Sequence, residues 1–171
     1  MPLAFGLRTL AVILTAAALS LAGCDQQRIS ELQAGVSTEA DVRARFGEPE
    51  AVWDEPGGAR TLEYNRQPAG QVNYMITIGA DGRMTALRQV LTPENFARVV
   101  PGMPMDDVRR LLGKPAKVTP YELQRESHAD WRFLASPNQP KVFTVIFDAR
   151  HTVLRTQTGD DLDAPEFKGG R

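Results

Sequence analysis

The sequence is poor in the residues from which most protein chemistry is built. Its 171 residues include one cysteine, two histidines and 7% aromatics. A lone cysteine, Cys24, allows no internal disulfide, so the fold must be held by apolar burial, at about 25 cal/mol per Å². Two histidines, His128 and His151, leave little for a metal centre, which needs several protein ligands. Charge of one sign is also missing. A formal net charge of −1 creates no field for a polyanion, which argues against nucleic acid as a partner. The longest apolar run, Leu10 to Leu21, has roughly a dozen residues where a bilayer span takes ~20.

That run reads as the core of an export signal, with Arg8 before it and small residues after it. Leu21-Ala22-Gly23-Cys24 resembles the bacterial lipobox, in which small residues precede a cysteine that is acylated and becomes the mature N-terminus. The resemblance implies a signal peptide over 1–23, a short tether over 24–28, and a covalent lipid on Cys24 that inserts into membrane lipid. No other cofactor is expected. A plain signal peptide cut nearby would instead leave a free thiol with no partner in an oxidising compartment. At ~3.5 Å per residue the tether would hold the body within about 15 Å of the headgroups. Asp25 follows the cysteine. In lipoproteins resembling those of enteric bacteria, an aspartate there acts as a sorting signal against transfer to the outer membrane.

Self-comparison finds a unit that occurs twice, about 67 residues apart. Gly35 to Pro49 matches Gly102 to Pro115. Each has a helix-starting residue (Ser37 or Thr38; Pro104), early acids, a closing glycine and a proline two residues on. Val42 with Phe46, and Val108 with Leu111 and Leu112, follow the spacing of one buried helix face. Thr61 to Tyr64 pairs with Asp130 to Phe133 as alternating strands, with Leu62, Tyr64, Trp131 and Phe133 inward. Asp81 to Arg88 pairs with Asp148 to Arg155, five of the eight positions being identical. Asp81-Gly82 is a hairpin signal. Ala149 takes the glycine's place in that alignment, which requires a turn of another type or a longer one. Lys117 to Leu123 is a weaker strand, and Pro120 puts it at an edge. Short helices at 29–33 and 93–99 precede each copy's opening glycine. From Thr158 to Arg171 the chain turns polar and glycine-rich and reads as a frayed tail. The expected fold class is α+β, two tandem helix-helix-antiparallel-sheet units over 29–91 and 92–157.

Two short helices and an antiparallel meander, with a glycine opening and Gly-x-Pro closing the second helix, resemble the SmpA/OmlA (BamE-like) lipoprotein family. Gly102-Met103 through Val108, Leu112-Gly113-Lys114-Pro115 and the strand ending Phe147-Asp148 carry the resemblance. Two units in tandem are similar in arrangement to the β-lactamase inhibitory protein. The family resemblance implies a periplasm-facing accessory or scaffold in outer-membrane protein assembly, with the β-barrel assembly machinery as partner and the outer membrane as address. Asp25 points to the inner membrane. The tandem arrangement implies a binding or inhibitory module for another envelope protein.

No catalytic set emerges. His128 and Asp130 share a strand face without a further partner, and Pro56-Gly57-Gly58 lacks the Lys-Ser or Lys-Thr of a phosphate loop. A non-enzyme with no small-molecule substrate is therefore expected, and binding is the default. Phe143, Val145 and Phe147, with Ile76 and Ile78, should lie under the helices. The opposite face then carries Met75, Thr77, Val142, Thr144 and Ile146, flanked by Glu63 and Arg132 as polar rim. Val142 and Ile146 are too apolar for a face open to water, so the neighbouring unit or a partner should cover it.

Overall fold

The computed structural model describes residues 24–164. The expected signal peptide (1–23), the last residues of the expected tail (165–171) and the side chains of Cys24, Asp25 and Gln26 lie outside the described residues. Helices α1 (Cys24–Ser30) and α2 (Glu39–Phe46) precede strands β1 (Ala51–Asp54), β2 (Arg60–Asn65), β3 (Asn73–Ile78) and β4 (Met84–Gln89). Helices α3 (Pro93–Phe96) and α4 (Met105–Leu112) then precede β5 (Lys117–Tyr121), β6 (Glu126–Ala135), β7 (Gln139–Phe147) and β8 (Val153–Asp160). The strands form two four-stranded antiparallel sheets in sequential order, β1 to β4 and β5 to β8. The fold is α+β with two tandem units, and β5, with Pro120, is an edge strand.

Local chemistry explains the helices. In α2 the Thr38 N–H donates to the Asp41 carboxylate at 2.8 Å, and the Asp41 N–H donates back to the Thr38 hydroxyl at 3.3 Å, a reciprocal cap. Those bonds from Thr38 hold the Asp41 carboxyl below its usual range. Both α2 and α4 stop at a glycine, Gly47 (φ 83°) and Gly113 (φ 78°), in a region that only glycine enters freely. Val42 and Phe46 pack on Leu62, Tyr64, Ile76 and Ile78 in the first core. Val108 and Leu112 pack on Trp131, Phe133, Phe143 and Val145 in the second. Each sheet thus buries one face under its own helices.

Three expectations are corrected. Among the described residues the first helix spans Cys24–Ser30, so the segment read as an extended tether is helical backbone. Nothing in 24–30 breaks a helix, Ile29 packs against the first core, and at ~1.5 Å per residue the span shrinks to about 8 Å. The polar segment from Thr158 does not fray at once. Thr158 to Asp160 complete β8 along β7, Asp161 is 2% exposed and Ala164 is fully buried.

The third correction concerns the register of the repeat. Glu50 N–H donates to the Glu63 carbonyl as Ala116 N–H does to that of Asp130, and Gly35 N–H donates to the Met84 carbonyl as Gly102 N–H does to that of Val153, all at 2.8 Å. Hence Glu63 corresponds to Asp130, Tyr64 to Trp131 and Met84 to Val153. Both later sequence pairings were displaced by two residues, in opposite directions. The cause is the hairpin after the second strand. Tyr64 faces Tyr74, but Trp131 faces Phe143, so the second unit's hairpin is two residues longer. The turn before the last strand is the same in both copies, closed by Gly79 N–H to the Arg83 carbonyl and Asp148 N–H to the Thr152 carbonyl. His151 (φ 58°) takes the left-handed place of Gly82 (φ 78°), which histidine tolerates better than most residues. Ala149 stands elsewhere in that turn, so no change of turn type or length is needed.

Candidate functional site

The outer face of the first sheet is occupied by the second unit. Glu63, fully buried, accepts the Lys114 N–H on Oε1 at 2.7 Å. Asn73, also fully buried, donates Nδ2 to the Leu112 carbonyl at 2.9 Å and the Lys114 carbonyl at 3.2 Å. Between them lies Gly113, where a Cβ would sit 2.9 Å from Asn73 Nδ2 and 3.4 Å from Glu63 Oε1. From the other side Trp131 Nε1 donates to the Gly113 carbonyl at 2.9 Å. The Arg110 guanidinium lies over the Trp53 ring, 4.8 Å from its centroid. The end of α4 is thereby held between the two sheets.

A second clamp lies beyond the end of β5. The Gln67 side-chain amide donates to the Arg132 carbonyl at 2.8 Å and accepts the Arg132 N–H at 3.1 Å, taking the place of a neighbouring strand's peptide. The Arg132 side chain donates to the Pro68 carbonyl at 2.7 Å and to the Asp161 carboxylate at 2.6 Å. It belongs to the joint between the units and to the closing of the C-terminal segment, and does not form the expected polar rim.

Among the described residues, the equivalent face of the second sheet has no such cover from the first unit's helices. Thr144 donates its hydroxyl to Asp130 Oδ1 at 2.6 Å, and Val142 lies half-buried in register between Arg132 and Gly159. Gly159 has open space where a Cβ would be, which leaves a notch beside Val142. A cavity of about 340 Å³ opens there, lined by Asp130, Val142, Thr144, Gln157, Gly159 and Asp161. Ile146 is fully buried in register between His128 and Arg155. Arg155 forms a two-pronged ion pair with Glu126 at 2.9 and 3.0 Å, and His128 stands 3.3 Å from the same carboxylate. The hydrogen bonds from Arg155 hold Glu126 below the usual carboxylate range and raise Arg155.

The seven candidate binding residues therefore do not form one surface. Glu63 and Met75 are sealed at the joint, with Thr77 half-buried on the same face. Arg132 is committed to the clamp, and Ile146 is covered by its own sheet's side chains. Val142 and Thr144 stay at an open cavity. Asp130, Gln157 and Gly159 join them without having been singled out for binding. The correct repeat register would have marked Asp130, because it aligns with Glu63. Cys24 and Asp25 have no described side chains.

His128 approaches Glu126, with no bond to Asp130. Among the described residues no group of three or more His, Cys, Asp or Glu could hold a metal ion, and no helix is long and apolar enough to cross a membrane.

No known family matches the chain, and no curated protein matches it. Solved structures to which the chain is similar include a putative β-lactamase inhibitor protein from Streptococcus mutans, with 9% identity, 80% of this chain and 96% of that one covered, and a TM-score of 0.35. A DUF4309-family protein from Bacillus subtilis has 19% identity over 76% of this chain and 82% of that one, at a TM-score of 0.30. An SCP-domain-containing extracellular protein from Bacillus anthracis has 14% identity over 78% and 45%, also at 0.30.

Proposed function

We propose that this chain is a non-enzymatic, lipid-anchored module of the bacterial cell envelope that binds another protein through the outer face of its second sheet. One observation carries the reading: the positions that grip the second unit in sheet one recur in sheet two, where Asp130, Val142 and Thr144 line a cavity. In the first, a carboxylate receives a backbone N–H from a helix end. In the second, Asp130 stands at the same place beside an open cavity. A partner that offers a peptide N–H or a basic side chain there would repeat a contact this protein already makes. The face is small, so affinity would come from a few buried groups around Val142.

The anchor rests on Leu21-Ala22-Gly23-Cys24. Acylation would hold the body close to one membrane, and replacing Cys24 by serine should release the protein into the soluble fraction. Resemblance to the SmpA/OmlA family supports an accessory role in outer-membrane protein assembly, whereas Asp25 supports residence in the inner membrane and a different envelope client. Membrane fractionation separates these two addresses. The binding reading itself is tested by a photoreactive amino acid at Gln157, which is exposed on the open face, with Ala40 on α2 as control. A single crosslinked product from Gln157 in living cells is expected. Equal labelling from Ala40, or none from Gln157, would sink the assignment. A product containing a β-barrel assembly component supports the accessory role, and any other envelope protein supports the inhibitory one.

A further inference from the structure

A second cavity lies at the joint, where the outer face of β4 meets the α3 and α4 region. It has about 390 Å³, and its charged lining residues are Arg88, Arg98, Arg110 and Asp107, three cations against one carboxylate. Arg88 stands opposite Met75 in the β3–β4 register and so shares the outer face with that lining residue. Arg98, just past α3, donates Nη1 to Asn95 Oδ1 at 3.1 Å, and Asn95 also lines the cavity. Asp107, Arg110 and Leu111 form one stripe of α4, and it is this stripe that lines the cavity. The Arg110 guanidinium is held over Trp53, which is in register with Thr61 and Thr77 on the same outer face. All three arginines are exposed, so their donors can be reached from solvent. Among the described residues none of the three forms an ion pair, whereas Arg45, Arg60, Arg132 and Arg155 each face a carboxylate at 2.5–3.1 Å. The neutral polar groups of the wall are already engaged. Asn95 Nδ2 donates to the Val90 carbonyl at 2.9 Å, and the Gln89 side-chain amide bonds to the Leu91 carbonyl and N–H. Nor does the fold demand a cation here, since Gln157 holds the place of Arg88 in the second unit. Gathering like charges around one concavity costs free energy that a multiply charged anion recovers.

We propose that this cavity binds the dianionic phosphoryl group of a phosphate monoester, with Arg88, Arg98 and Arg110 as its donors. The guanidinium fork matches phosphate oxygens in pairs, and three cations less one carboxylate leave an excess of two positive charges for a dianion. Asp107 opposes the anion and limits its affinity. The volume falls within the usual range for small-ligand pockets and leaves Met75, Val90 and Leu111 as wall for the rest of the monoester. Arg88 belongs to the first unit and Arg98 and Arg110 to the second, so the ligand bridges the joint. The assignment does not depend on the open face of the second sheet.

Calorimetric titration of the full chain in maltoside micelles tests this, with glycerol 3-phosphate as ligand and acetate as the singly charged comparison. Saturable one-to-one binding of the phosphate is expected, at least about ten-fold tighter than acetate. Arg88→Met and Arg98→Met keep the stem and should each weaken it at least about ten-fold. Arg150→Met, at an exposed arginine on the turn before β8, should leave it unchanged. Asp107→Asn removes the opposing charge and should tighten binding by about three-fold or more. Circular dichroism checks each fold, and if Arg88→Met unfolds, Arg98→Met and Asp107→Asn carry the test. Dihexanoyl phosphatidate separates the two sources of such a group: binding tighter than glycerol 3-phosphate and lost in Arg98→Met assigns a lipid headgroup, and binding no tighter assigns a soluble monoester. No saturable binding, acetate binding as tightly, folded arginine variants unaltered, or an equal loss from Arg150→Met would each overturn the proposal.

Discussion

The two outer sheet faces are built from equivalent positions and end in opposite states. Glu63 and Asp130, Met75 and Thr144, Asn73 and Val142, and Arg88 and Gln157 occupy corresponding places in register. In the first unit these positions are Glu, Met and Asn, all at most 2% exposed, and they close over a neighbour's helix end. In the second they are Asp, Thr and Val beside a cavity. A tandem pair has one internal joint and so uses one such face. The second copy carries a surface of the same plan, with a different side-chain set, beside a cavity.

The largest expected effect is at the two helix-ending glycines. Gly113→Ala should cost about 4 kcal/mol and Gly47→Ala about 2, measured by urea unfolding. Both have positive φ, but only at Gly113 would the new Cβ strike a buried partner; at Gly47 nothing lies within 4 Å. Equal losses would break the distinction between a used and an unused face. Next come the paired carboxylates. Glu63→Ala strands the Lys114 N–H in the joint and should cost about 3 kcal/mol, against about 1 for Asp130→Ala, which frees only the Thr144 hydroxyl. Gln67→Ala removes both bonds of the amide clamp and should cost about 1.5 kcal/mol. A negligible loss there would show that the amide clamp adds nothing to the joint.

Smaller effects separate the units by pH. Tyr64 gives its hydroxyl to the Gly47 carbonyl at 3.1 Å, and burial raises its pKa from 10.0 to about 12. A raised folded-state value means the fold favours the neutral phenol. That contribution is whole below pH 10 and disappears as pH rises through about 12. Tyr64→Phe should flatten the alkaline limb of stability against pH. In the second unit Trp131 makes the equivalent bond and does not titrate. Glu126, lowered mainly by its bonds from Arg155, acts in the other direction. Its contribution is present above the ordinary carboxylate value of 4.5 and is lost as pH falls through its lower folded value. Glu126→Gln should flatten the acid limb, and an unchanged limb would show that the ion pair over Ile146 is idle.

Local signals were legible where a residue type has one structural use. Thr38, one of the two helix-start candidates, Gly47 and Gly113 before their prolines, and Pro120 in an edge strand all stand where the pattern placed them. Register was less legible, because identities in Asp81 to Arg88 and Asp148 to Arg155 outweighed the strand pairing that sets true equivalence. A hairpin two residues longer displaces side chains without changing which face they take, since strands repeat every two residues. That is why the inward and outward assignments survived a wrong alignment. The binding candidates were correctly put on outer faces, but alternation cannot tell which of two like faces has a neighbour.

Composition and pattern therefore determined the α+β class, the two units, the helix stops and the face of each sheet that lies under its helices. These follow from short-range sterics and from periodicity, both written in consecutive residues. Only the tertiary structure decided that Glu63 and Asn73 close on Gly113 while Asp130 and Val142 remain beside a cavity. Contacts between residues some fifty positions apart depend on how two finished units meet, and that geometry is not encoded in the spacing of either one.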